Sequence, residues 1–125
     1  MIVLDASAWV DALAGVVAPP DPHEPVVVPP HFDAEVVGAL RALSQRGVLS
    51  VGEAETALRL HLQADFQMER DEADILQAWR WRESMSLADA WYAAIALRRA
   101  CAWVTTDRRA AAAAQRLGVT AEVLA

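Results

Sequence analysis

The chain opens on the β-branched apolar run Ile2-Val3-Leu4, which reads as a short buried strand ending at Asp5. Ala6 to Leu13 follows as a short helix, with Gly15 as its stop. All six prolines (positions 19, 20, 22, 25, 29 and 30) fall between Ala18 and Pro30. That stretch is therefore a loop, with one extended piece at Val26-Val27-Val28. Phe32, Val36, Leu40 and Leu43 recur at helical spacing and Gly47 follows them, which predicts a helix over Phe32–Arg46. Leu58, Leu60 and Leu62 alternate with Arg59 and His61 as in a strand, but the helix-forming lead-in favours a helix over Glu53–Gln63. Phe66-Gln67-Met68 reads as a short edge strand. Helices are expected over Asp71–Glu83, Leu87–Ala100 and the alanine-rich Arg108–Leu117, which Gly118 closes. Cys101–Thr105 and Val119–Leu124 complete the strands. Strands alternating with helices predict a three-layer α/β/α domain over residues 1–125, with a central, mostly parallel sheet and no internal repeat or linker.

Composition narrows the function. At 125 residues, with 55% hydrophobic and 22% charged positions, the chain is long enough for one real core and too apolar to be disordered. All eleven basic residues are arginines. A chain without lysine has no phosphate-loop lysine, no Schiff-base amine and no kinase strand lysine. Cys101 is the lone cysteine, which excludes a disulfide framework and a cysteine-based zinc site. The longest stretch free of charged side chains, Ala12 to Pro20, is nine residues, against the roughly twenty a membrane helix needs. The expectation is a soluble, cytoplasmic protein with no membrane partner. The net charge of −6 argues against nucleic-acid binding through a diffuse basic coat and leaves room for a local site.

Four acids stand at the starts or ends of elements. Asp5 ends the first strand, and Asp107 lies just beyond the strand Cys101–Thr105. Ligands of open parallel sheets bind outside the carboxyl ends of the strands, so both point to the functional edge. Asp89 sits in the first turn of one helix and Glu35 one turn into another. Each also has a structural use. Asp5 and Asp107 are good helix N-caps, Ser86-Leu87-Ala88-Asp89 fits a capping box, and Glu35 suits the helix dipole. If the four converge, two carboxylates about 4 Å apart repel by about 4 kcal/mol at an effective dielectric of 20, so cations must neutralise them. Oxygen ligands select hard ions such as Mg²⁺ or Mn²⁺, and a pair of these suits in-line attack of water on a phosphodiester, leaving a 5′-phosphate. Two such ions, carrying +4, would bring the total of −6 to −2.

The chain resembles the PIN-domain ribonucleases, specifically the VapC-type toxins of bacterial toxin–antitoxin pairs. The resemblance is carried by Ile2-Val3-Leu4-Asp5-Ala6-Ser7, by Phe32-Asp33-Ala34-Glu35-Val36-Val37-Gly38-Ala39-Leu40, by Leu87-Ala88-Asp89-Ala90-Trp91-Tyr92-Ala93-Ala94, and by Trp103-Val104-Thr105-Thr106-Asp107-Arg108-Arg109. It implies a metal-dependent endoribonuclease with Asp5, Glu35, Asp89 and Asp107 as metal-binding and catalytic acids and Mg²⁺ or Mn²⁺ as cofactor. It also implies Ser7 and Thr105 as polar groups orienting the first-strand acid, an RNA substrate, and a cognate antitoxin as partner. The segment between Val48 and Asp71 matches only in its helical character.

Two rivals remain at this level. One is a catalytically silent PIN scaffold that only binds protein, against which the retained acids speak. The other is a metal-dependent phosphatase resembling the haloacid dehalogenases with Asp5 as nucleophile, against which Ser7 (in place of a second Asp) and the missing lysine speak. Arg108 and Arg109 directly follow Asp107 and are candidate phosphate ligands beside the metals. His23, His31 and His61 read as surface or loop residues, and Cys101 as core. Trp79 and Trp81 point to different sides of a helix, so either one is exposed at a partner surface, for a homodimer or an antitoxin, or both are partly buried in the core.

Overall fold

The computed structural model describes residues 1–124; Ala125, the last residue of the expected domain, lies outside the described residues. Five strands, Ile2–Leu4 (β1), Val26–Val28 (β2), Gln67–Met68 (β3), Ala102–Thr105 (β4) and Ala121–Val123 (β5), form one sheet in the order β3-β2-β1-β4-β5. Every pairing is parallel, with Ile2 opposite both Val26 and Ala102. The expected sheet is thus wholly rather than mostly parallel. β1 is central, flanked on both sides, and Val3 and Leu4 are buried, as the unbroken apolar run requires. Gln67 and Met68 are exposed, so the edge strand β3 is short and half polar.

The helices are Ala6–Leu13 (α1), Phe32–Gln45 (α2), Val51–Gln63 (α3), Glu72–Arg80 (α4), Leu87–Arg99 (α5) and Arg108–Arg116 (α6). From β1 the chain steps outward through β2 to β3, then crosses back to β4 and on to β5. Right-handed crossovers therefore place α1, α2 and α3 on one face and α4, α5 and α6 on the other. The packing agrees: α1 lies against α2 and α3, while α5 lies against α4 and α6. The alanines of α5 and α6 (Ala90, Ala93, Ala94 and Ala96; Ala110, Ala111, Ala113 and Ala114) are buried. Their small side chains let these helices lie close to their neighbours, while Phe32, Tyr92, Ile95 and Trp103 fill the larger spaces.

Several local expectations change. The helix expected over Asp71–Glu83 stops at Arg80. Helix α3 begins two residues early, because Ser50 and Glu53 form a complete capping box. At Ser86 only half of the expected box exists: its hydroxyl accepts from the Asp89 amide at 3.2 Å. His61 is not a surface residue. It is 5% exposed, its Nδ1 accepting from Trp9 Nε1 at 3.0 Å and its Nε2 lying 2.8 Å from Asp33 Oδ1. The indole can only donate, so the Nε2 proton faces Asp33 and the imidazole ties α1, α2 and α3 together. Trp81 is buried and Trp79 is 59% exposed under the Arg82 guanidinium, so of the two readings of this pair the one with a single exposed indole holds.

The second polar tie joins α4 to α5. Asp74 is 1% exposed and receives two parallel hydrogen bonds from Arg98, Nε to Oδ1 and Nη2 to Oδ2, each 2.9 Å. Arg98 also reaches Glu69, which Arg99 grips from the other side. Pairing with Asp74 holds the Arg98 guanidinium above its usual pKa. Removing Arg98 strands a buried carboxylate, whereas removing the Asp74 charge leaves Arg98 with Glu69 and Asp71. Arg98→Met is therefore expected to cost about 3–5 kcal/mol and Asp74→Asn only about 1–2. Urea midpoints at unchanged slope measure both, and equal losses would contradict this asymmetry.

Candidate active site

Strands β1 and β4 lie side by side, and the chain leaves β1 toward one sheet edge and β4 toward the other. This is the switch point at which open parallel sheets leave a crevice outside their carboxyl ends. Asp5 follows β1 directly, its amide donating to Val104 O at 2.9 Å across to β4. It caps α1, with Oδ1 accepting from the Ser7 amide at 3.5 Å. Its Oδ2 accepts from the Thr105 hydroxyl at 2.6 Å. Thr105 is fully buried and its Oγ1 also accepts from the Asp107 amide at 3.1 Å, so one hydroxyl couples both strand-end acids. The Ser7 hydroxyl faces the other way as well, accepting from the Thr106 amide at 3.5 Å. Burial pushes the Asp5 carboxyl above its usual range; Thr105 and Ser7 pull it back, and the charge of Glu35 adds to the rise.

Asp89 is free to face the crevice because Ser86, not Asp89, caps α5. Burial raises its pKa first, then the charges of Asp5 and, less strongly, Asp107, while Ser86 and His31 oppose the rise. Glu35 lies in the first turn of α2, where the Tyr92 hydroxyl donates to Oε1 at 2.7 Å. The same hydroxyl accepts from the Ala6 amide at 3.4 Å, so Tyr92 links the start of α1 to the start of α2. Burial and the Glu35 carboxylate push this phenol far above its usual pKa, keeping it a donor. Asp107 caps α6, its Oδ1 accepting from the amides of Arg109 and Ala110 at 3.0 and 3.1 Å.

The four predicted acids thus form a chain of neighbours, Glu35–Asp5–Asp89–Asp107, each within electrostatic reach of the next. Among the described residues no three acidic, His or Cys side chains close into a ready-made ligand cluster. Their donor chemistry nonetheless fits a hard divalent ion: all are carboxylates, and Asp5 and Asp89 are raised by burial and, in addition, by a neighbouring carboxylate, both of which a bound cation would offset. Asp89 and Asp107 line a cleft of about 480 Å³ between the Ser84–Ser86 turn and α6. Arg109 lines it too. Arg108 is exposed and is not among the lining residues, because adjacent helical residues point about 100° apart.

Sequence reasoning missed three residues here. Tyr92 stands one turn after Asp89 in an otherwise apolar stretch, a position at which its hydroxyl needs a partner. His31 is a loop residue as expected, the half-buried turn residue before α2. Its Nε2 is buried 3.5 Å from Glu35 Oε1, without a hydrogen bond among the described residues, and its ring meets those of Trp91 and Tyr92. The third is Arg116, which lines the far end of the cleft and shares a helix face with Arg109 at a spacing of seven.

The PIN domain family model matches residues 2–116 of the chain. Two proteins named Ribonuclease VapC3, from two strains of Mycobacterium tuberculosis, are 33% identical over 118 residues, covering 90% of this chain and 86% of theirs. The crystal structure of a protein from Pyrobaculum aerophilum superposes with a TM-score of 0.69 over 96% of this chain and 89% of that one. At 22% identity that likeness is one of fold alone. No helix among the described residues is long and apolar enough to cross a membrane. The chain belongs to the PIN domain family.

Proposed function

We propose that this protein is a metal-dependent endoribonuclease, the toxin of a toxin–antitoxin pair, acting as one PIN domain over residues 1–125. The observation that carries the reading is the line of four carboxylates at the switch point, with Asp5 and Asp89 raised first by burial and further by a neighbouring carboxylate. The ribonuclease relatives supply the substrate class. An antitoxin that covers the cleft, a homodimer and a cytoplasmic location belong to the same proposal; the relatives' VapC name supports the antitoxin.

Asp5, Glu35, Asp89 and Asp107 would hold one or two Mg²⁺ or Mn²⁺ ions, which when bound cancel the acids' charge, polarise the phosphoryl group and acidify water for in-line attack. The chain's own part is positional. Thr105 fixes the rotamer of Asp5, and Tyr92 fixes Glu35 by one oxygen. Glu35 Oε2 and Asp107 Oδ2 have no hydrogen-bond partner among the described residues, so each acid keeps one tethered and one free oxygen. These free oxygens orient the attacking water, and Arg109 meets the phosphate from the α6 side.

The direct test induces the protein in bacteria and sequences new RNA 5′-phosphate ends, with Asp89→Asn as control. Discrete ends that vanish in the control are expected, with a loss of at least about a thousandfold in cleavage. Identical end maps from two soluble, expressed proteins would defeat the proposal.

A stability measurement separates a site from a mere cap. Without metal, the raised pKa of Asp89 means that the folded state binds more protons than the unfolded one. This group's contribution is then lost as pH rises from the ordinary value of 3.8 through the raised one. In a chelator at pH 7, Asp89→Asn is expected to raise the urea midpoint at unchanged slope, the gain disappearing as pH falls to the ordinary carboxylate range. An acid that served only the helix dipole would instead destabilise on replacement. Thr105→Val and Tyr92→Phe each remove the hydroxyl that orients one acid. Both are expected to weaken Mn²⁺ binding and cleavage about 10–100-fold with the fold retained, as titration calorimetry and a cleavage assay would record.

A further inference from the structure

Four of the eleven arginines have a partner among the described residues. Arg98 and Arg99 are bound into the Glu69–Asp74 network, Arg59 pairs with Glu55, and Arg82 lies over Trp79 and beside Glu83. Arg109 and Arg116 have no ion-pair partner among the described residues, yet both line the same cleft as Asp89 and Asp107. Seven residues apart, they lie on one face of α6, about 10 Å from each other along its axis. Between them the floor is Ala112 and Ala113, which leaves the guanidiniums standing above a smooth surface. Ser84 forms the opposite wall. A smaller recess of about 290 Å³, lined by Glu83, Ser84, Ala113, Arg116 and Leu117, continues the cleft past Arg116.

We propose that Arg109 and Arg116 form a phosphate-tracking subsite that leads a single RNA strand away from the carboxylates along α6. The inference rests on the nuclease reading and names where its substrate runs. The groove runs along α6 from the acids: Asp89 and Asp107 mark the reacting phosphate, which Arg109 meets from the α6 side, and Arg116 takes a phosphate further along the same strand. A volume of about 480 Å³ is in the range that holds a small molecule, hence a nucleotide or two of one strand and not a duplex. No aromatic side chain lines the cleft, so bases have nothing to stack on and the grip is on the backbone. Because the protein as a whole carries −6, such a local pair has to supply what a basic coat would supply elsewhere.

The test uses the full chain carrying Asp89→Asn, so that RNA is bound without being cut, and follows a fluorescent single-stranded RNA oligomer by anisotropy across a monovalent salt series. Adding Arg116→Ala is expected to weaken binding several-fold and to lower the slope of log K against log salt by about 0.7, the value for one lost phosphate contact on a single strand. Arg116→Lys should restore the slope, and Arg82→Ala should leave it as it was. Circular dichroism and urea midpoints establish that each variant is folded. An unchanged slope in folded Arg116→Ala would overturn the subsite and give the pair instead to an acidic protein partner. An equal fall in Arg82→Ala would overturn it too, as a general field effect. Cleavage by the unaltered chain keeps the two readings apart. RNA cut by that chain with an unchanged Arg116→Ala slope defeats the subsite alone, whereas no binding and no cutting by any variant defeats the nuclease as well.

Discussion

Like charge gathered where β1 and β4 part company sets the terms for the rest of the molecule. At an effective dielectric of 20, one pair of carboxylates about 4 Å apart costs about 4 kcal/mol, while a whole domain is stable by only about 5–15 kcal/mol. A chain of four acids is tolerable only if the scaffold offers positive potential at the same place. It does so with helix starts. Asp5 caps α1, Asp107 caps α6, and Glu35 and Asp89 lie in the first turns of α2 and α5. Four helix N-termini thus stand at the acids, each offering them the positive end of its dipole. Capping and the proposed ligation, which compete as explanations when each acid is read alone, are compatible in this arrangement. The cap fixes one oxygen, as at Asp107, and leaves the other for the cleft.

That arrangement explains which parts of the site could be read from the chain. The acids were legible because each stands at an element boundary, and boundaries follow from hydrophobic period and from the turn residues around it. Thr105 and Ser7 were legible only through the family resemblance, although Thr105 proves to be the buried hinge between Asp5 and Asp107. The supposed box at Ser86 fails because Asp is one methylene shorter than the Glu that reaches back from Glu53 to the Ser50 amide. Tyr92 was hidden for another reason: its partner Glu35 is brought to it by the packing of α2 and α5, which neither local period nor composition encodes. Arg116 shares a helix face with Arg109 by its spacing alone, but the Ser84–Ser86 turn that makes a cleft of that face is set by tertiary packing.

His61 is the sharpest case. In Leu58-Arg59-Leu60-His61-Leu62 the hydrophobic residues nominate the leucines for the interior. Leu60 and Leu62 are in fact 51% and 72% exposed, and the histidine is inside. The imidazole can be buried because both ring nitrogens are met, by Trp9 and by Asp33, so it incurs little of the penalty for desolvating a polar group. The leucines are then left on a surface that α3 turns outward. A pattern rule counts apolar residues; the fold counts satisfied ones.

The two kinds of arginine in this chain make the same point about charge. Arg98 is spent on structure: it satisfies Asp74, a carboxylate that packing has removed from water. Arg109 and Arg116 satisfy nothing among the described residues, and they stand on a helix whose remaining face is almost wholly alanine. Alanine is the strongest helix former, so α6 holds its shape with little help from its own side chains. A rigid rod with a cap at one end and two unspent cations along one side gives up stabilising contacts it could have made. On the proposed reading that is the point of it: the cations keep their donors for a polyanion, and an acidic protein needs nothing broader than that strip to hold one.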